Sequence, residues 1–412
     1  MKKTLAAFVS ALLLVIASLS IVALRGAEAQ PTNDIANHPD EAAWGFFAQA
    51  TANTPGPRGV PTFTTWAGDE DTFGETPRFP GQPSALNLRR TILPSLFRTA
   101  RPGAASAHGW TPSLLHDIAQ EEVRRNRPAY DYIVNNRLNT RSGLIAAFGT
   151  NIVFPRGSIE VKTNWLAVEL VPQYYRHPDG SRLTPADVRR LFFIADVPPS
   201  GTSQIVRQHA LLSMHVITKQ VPNWTWATFE HHLTPARCDY IGCRDSFGAT
   251  EPVVRPRARA GGNYGRCEHT SRLRAMLSRA RVDDIFLNYC LKGSQTDYTD
   301  PTGLPIVLGN SVTEGGFVTS SSCMTCHGTA GWDSTGASLP INTPVGAIPS
   351  STYWAFGTTV PPGVPGATQI ATAADFVWSI PFCVRDDITP TPPAGQPPLP
   401  HNPCFKDDDP GR

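Results

Sequence analysis

Apolar residues recur along this chain at two periods, and the segments that carry them come in a definite order. At Thr111 a capping residue followed by Pro112 opens a helical pattern, with Leu114, Leu115, Ile118 and Val123 returning at that spacing. A second short helix is predicted over 129–138. The period then falls to two: in GSIEVKTNW (157–165) Ile159, Val161 and Thr163 alternate with Glu160 and Lys162. HALLSMHVIT (209–218) and WTWATFEHH (224–232) have the same β character. Between the first strand and the other two, Thr184 caps a short helix reaching Phe193. The strongest helical pattern spans 270–293, with Leu273, Met276, Leu277, Ala280, Ile285 and Phe286 near one face and Gly293 as a stop.

The second and third strands read as a hairpin turning around Pro222 and Asn223. The pairing expected for that turn sets His215 opposite Glu230 or His231, at the roughly 5 Å separation of cross-strand neighbours. Trp224 and Trp226 share the face of Glu230 and can wall an apolar cleft, whereas His231 points with Thr225 and Phe229. Only one of Glu230 and His231 can therefore look toward any given side of the sheet.

Outside these segments the chain is rich in Pro and Gly, 39 and 33 residues respectively, which predicts a loop-rich body of short elements. The fold class expected is α+β: an antiparallel β-sheet with flanking helices and a C-terminal, loop-rich region around Cys323, Cys326 and His327, whose C-x-x-C-H order marks it as a haem c attachment region. Residues 1–29 read as a signal peptide, with Lys2 and Lys3 ahead of an apolar run from Leu5 to Leu24 and small residues at Ala27 and Ala29. A run of that length also reaches the roughly 20 residues needed to span a bilayer, so an uncleaved anchor is the alternative. Residues 30–150 form a Pro/Gly-rich N-terminal region with short helices, the part before about residue 105 reading as irregular chain over a core. Antiparallel strands fill 151–235, a cysteine-bearing loop and the long helix 236–300, the attachment region 301–382, and a Pro-rich tail 383–412.

Export places the chain in a periplasmic or secreted, oxidising setting, where thiols pair. Of eight cysteines, Cys238, Cys243, Cys267, Cys290, Cys383 and Cys404 make a set that can form three disulfides in any of 15 connectivities. The net charge of +2 and the lack of basic runs interleaved with aromatics argue against a nucleic-acid partner.

The remaining two cysteines carry the chemistry. Cys323, Cys326 and His327 stand in the order C-x-x-C-H, which composition alone would produce about 0.004 times in this chain. The spacing suits one covalent haem c, held by two thioethers with His327 as proximal iron ligand. Small electron carriers usually take a downstream methionine on the other face of the iron. Here Met1, Met214, Met276 and Met324 all precede His327, and His401 is the only later histidine. A sixth ligand must come from upstream, His215 or His231 being the candidates, or the position is open; Glu230 and His231 are the candidate catalytic residues of an open site. Met214 points away from His215, and His232, His269, His108, His116 and His177 stand in no motif.

GSIEVKTNW, LLSMHVITK, WTWATFEH, SSCMTCH and ADFVWSI together resemble a group of exported mono-haem c-type proteins over about residues 150–382. A more distant similarity is to the cytochrome c′-beta family and its relatives that oxidise hydroxylamine through a lysine-cross-linked haem. Those are antiparallel sheets with C-x-x-C-H near the C-terminus and an Asp-aromatic-Val-aromatic stretch soon after, matched here by DFVW (375–378), although roughly 45 residues separate His327 from Asp375. The resemblance implies Lys162 as a haem-linked lysine and Glu230 as a distal proton acceptor.

The function expected is electron transfer by an exported c-type cytochrome, with a redox protein as partner. The alternatives are a haem oxidoreductase acting on peroxide, dioxygen or a nitrogen oxide, and a gas-binding module. No G-x-S-x-G, Walker loop, H-E-x-x-H or G-x-G-x-x-G is present, so hydrolase, nucleotide and zinc-protease chemistries are not indicated.

Overall fold

The computed structural model describes residues 35–56, 59–90, 115, 118–198, 205–256, 264–315, 317–339, 371–388 and 404. The signal segment, Thr111 with the start of its helix, and all of the tail beyond 388 except Cys404 lie outside these residues. No helix among the described residues is long and apolar enough to cross a membrane.

The centre is a seven-stranded antiparallel sheet. Its first six strands are β1 (Arg89–Arg90), β2 (Gln120–Arg125), β3 (Ile159–Ala167), β4 (Ile194–Val197), β5 (Arg207–Thr218) and β6 (Thr225–His231). A separate ribbon of β7 (Cys243–Arg244) and β8 (Val253–Val254) precedes the last sheet strand, β9 (Tyr289–Gln295). The order across the sheet is β1-β2-β3-β5-β6-β9, with β4 pairing the start of β5. The expected antiparallel sheet with flanking helices is what forms.

Register divides the side chains into two sets. Val161, Val216 and Ala227 align, as do Thr163, Met214, Phe229 and Leu291, and this face carries an apolar core. Helix α1 (Pro39–Thr51) covers it, with the Phe47 ring 4.3 Å and the Trp44 ring 4.9 Å from Phe229. Sequence pattern predicted irregular chain here. Helix α1 is buried nearly all round, so it shows no polar stripe, but Pro at its first turn with Asp40 and Glu41 beside it favours a helix start. The opposite face presents Lys162, His215 and Thr228 in one row and Glu160, Ile217 and Trp226 in the next.

Three expectations are corrected. Val123 lies in β2, not in a helix: β2 is clamped between β1 and β3, and Val123 pairs with Lys162. The long helix stops at Arg279, because Arg281 takes a left-handed φ of 57° and Val282 N closes back on Leu277 O at 3.0 Å, which is a C-terminal stop that usually falls on glycine. Residues 289–295 become β9 instead, where Cys290 pairs Glu230. The hairpin is shifted as well: His215 pairs with Thr228, and Glu230 with Ser213. A longer connection causes the shift, with Trp224 at a φ of 60° and Lys219 Nζ donating to Pro222 O at 2.7 Å.

The expected set of six cysteines does form three disulfides, Cys238–Cys243, Cys267–Cys290 and Cys383–Cys404. Helix α1 anchors the apolar core, so Phe47→Ala should cost about 3–5 kcal/mol in urea unfolding. A loss below about 1 kcal/mol would show that α1 is not part of that core.

Candidate functional site

The polar face of the sheet is one wall of a cavity that opens to solvent. Lys162, His215, Ile217 and Trp226 line it from the sheet, and the short helix Cys323–His327 lies across from them. Ser322 caps that helix, its side chain accepting from Thr325 N. Cys323 and Cys326 are the two of eight cysteines outside the disulfides, and both line the cavity. Burial pushes the Cys323 thiol up, so in this setting it is neutral.

His327 is fixed by the chain that follows. Its Nδ1 lies 2.8 Å from the Phe376 carbonyl oxygen, and a carbonyl can only accept, so Nδ1 carries the proton and Nε2 keeps its lone pair. Burial lowers the imidazole to about 4, in keeping with a neutral ring. Trp378 Nε1 donates to Cys326 O at 3.1 Å, and Gly331–Trp332 (β10) pairs with Thr372–Ala373 (β11). Segment 371–383 thus clamps the C-x-x-C-H helix from behind. A lone-pair nitrogen oriented by a carbonyl and two cysteines outside the disulfides, all lining one cavity, make a donor set that fits a covalently held haem.

Basic and acidic side chains meet along the polar wall, Arg89 Nε lying 3.3 Å from Glu121 Oε1. Lys162 Nζ lies 2.8 Å from Glu121 Oε2, and His215 Nε2 lies 3.5 Å from Glu314 Oε2. Burial raises the Glu314 carboxyl, but His215, the Asn310 amide and Lys162 outweigh it and hold the group below its ordinary value. At the far edge Asp69 bridges Arg89 at 2.9 Å and Arg125 at 2.8 Å. Asp69 also approaches Cys383 and Cys404, but those thiols are joined to each other and offer no metal ligands.

The sequence-predicted residues separate cleanly. Cys323, Cys326, His327, His215 and Lys162 meet at the cavity. Glu230 is fully buried below it, with Oε1 accepting from Ser311 N at 2.8 Å and 3.2 Å from Lys292 Nζ. Lys292 Nζ also donates to Ser311 Oγ, Asn310 Nδ2 to Thr228 Oγ1, and Thr313 Oγ1 to Asn164 Oδ1. Glu230 therefore fastens the turn that brings Glu314 to His215. His231 faces the other side, stacked on Phe192 at 3.7 Å, with Nε2 donating to Leu191 O and Nδ1 accepting from Leu233 N. Met214 lies in the apolar core and Met324 in the packing behind the Cys323–His327 helix. Glu121, Glu314 and Arg89 were missed. They come from a misassigned strand, a loop and a two-residue strand, none with a sequence signature.

No family model, curated protein or solved structure matches the chain.

Beside His231, His232 is 3% exposed, and burial, then the charges of Arg266, Arg237 and His269, lower it to about 3. The folded state keeps this ring neutral while the unfolded chain takes up a proton below its ordinary 6.5. Stability therefore falls as pH drops from 6.5 toward 3, by about 2 kcal/mol from this residue between pH 7 and 5. His232→Phe should lose about 2 kcal/mol less than wild type over that interval in urea unfolding. Equal losses would show that His232 is charged in the fold.

Proposed function

We propose that this chain is an exported c-type cytochrome with one covalent haem c on Cys323, Cys326 and His327, working in electron transfer with a redox partner protein. The observation that carries the reading is the cavity wall itself, where the two thiols outside the disulfides flank an imidazole whose Nδ1 is held by the Phe376 carbonyl. Bound there, haem supplies a one-electron iron couple. The chain's part is to attach it, orient His327, and shield it between Trp226, Ile217 and Phe376. The leader segment and the three disulfides support an oxidising, periplasmic or secreted location.

A second reading, a haem oxidoreductase acting on a small molecule such as peroxide, dioxygen or a nitrogen oxide, is favoured by one further observation. His215 and Glu314 form a buried pair on the cavity wall. A carrier with a saturated iron needs no such pair; an enzyme can use it to hold and pass a proton. The same His215 Nε2 is also the nearest upstream candidate for a sixth ligand in the carrier reading, so the two readings compete for one nitrogen.

Expressed with its leader in a host that matures c-type haem, the protein should keep haem on a denaturing gel, and Cys323→Ala/Cys326→Ala should lose it. Haem absent from the wild type refutes the proposal. A ferrous spectrum unmoved by carbon monoxide, with His215→Ala changing it, identifies the electron carrier. Rapid carbon monoxide binding, with the wild-type coordination surviving His215→Ala, identifies the oxidoreductase site.

A further inference from the structure

Two consecutive non-glycine residues, Asp375 and Phe376, have φ of 47° and 71°. Asp tolerates the left-handed region; a bulky Phe there is an outlier that the surroundings must enforce. Asp375 Oδ1 accepts from Lys219 Nζ at 2.6 Å and Oδ2 from Phe154 N at 2.8 Å. Lys219 is itself tied to Pro222 O in the hairpin connection, and both side chains of the ion pair are under a tenth exposed. The strained turn has one visible product: it aims the Phe376 carbonyl at His327 Nδ1. Backbone strain of this kind persists where its geometry is used.

Resting on the haem c reading above, we propose that the Lys219–Asp375 pair is a positioning device that holds the Phe376 carbonyl on His327 and thereby sets the iron's reduction potential. A carbonyl accepting from Nδ1–H makes the imidazole a stronger donor, which favours ferric iron. Loosening the turn weakens that bond and shifts the couple toward ferrous iron.

The test uses the full haem-loaded protein. Lys219→Met/Asp375→Asn removes both charges together, so the net charge beside the haem is unchanged and a potential shift reports the hydrogen bond. The double variant should keep its covalent haem and shift the ferric/ferrous equilibrium at least threefold toward ferrous, about 28 mV at 59 mV per tenfold for one electron. The His327 Nδ1 proton, followed as a hyperfine-shifted resonance in deuterated solvent, should exchange at least tenfold faster than in wild type. Lys219→Arg/Asp375→Glu, which keeps an ion pair, should restore both readouts. If the double variant is not recovered folded, Asp375→Asn alone is read by the same proton exchange. A covalent haem whose potential and Nδ1 exchange match wild type overturns the positioning role and leaves the haem assignment standing. A wild type without covalent haem overturns the haem assignment itself.

Discussion

The central sheet is buried on both faces, and that constraint governs the rest of the molecule. Every residue of β6 and ten of twelve in β5 are buried, so each successive side chain must satisfy one of two interiors. On one side that demand is met by hydrophobic packing against α1, where Val161, Met214 and Phe229 lose water to aromatic neighbours. On the other side the alternate positions are Lys162, His215, Thr228 and Glu230, which cannot be satisfied by apolar contact. They need partners, and β2, β9 and the loop beyond residue 297 supply them.

How those partners are supplied explains the shape of the cavity. A buried charge or polar group is costly unless it has a partner, and Lys162, His215 and Glu230 meet Glu121, Glu314 and Lys292 respectively. Glu230 and Lys292 are both fully buried, so their attraction works in a low dielectric and fixes Ser311 at the start of the 311–314 turn. Through that turn Glu314 reaches His215. The pair on the cavity wall is thus the outer end of a network whose inner end is the core of the sheet, and its geometry is inherited from strand register.

Strand register is also where sequence reasoning reached its limit. Alternation made β3, β5 and β6 legible, and Thr184 with Asp187 forms the capping box that starts the helix Pro185–Leu191. The offset between β5 and β6 was not legible, because it depends on Trp224 adopting a left-handed conformation that a Trp side chain does not advertise. The same blindness ended the helix after Arg279 too late, Arg281 standing where glycine would have signalled the stop. Of the candidate site, Cys323, Cys326 and His327 could be picked out because they form one contiguous motif, and all three line the cavity. Glu121 and Glu314 were not, since nothing local distinguishes a carboxylate that will be folded against a lysine or histidine from one left in water.

The helix Cys323–His327 is only five residues long, so the size of the body around it calls for a physical reason. The cavity wall answers it: Arg89, Glu121, Lys162, His215, Trp226, Glu314, the 323–327 helix and the 376–383 segment come from most of the described chain. The segment behind His327 is in turn fastened to the N-terminal half. Gly149 N donates to Thr372 Oγ1, Phe154 N to Asp375, Trp332 Nε1 to Leu144 O, and Arg141 to Asp386. No contiguous stretch around C-x-x-C-H could be cut out with its pocket intact. The body is the pocket, and the surroundings of His327 therefore depend on links between residues far apart in sequence, Lys219 to Asp375 being one such link across 156 positions.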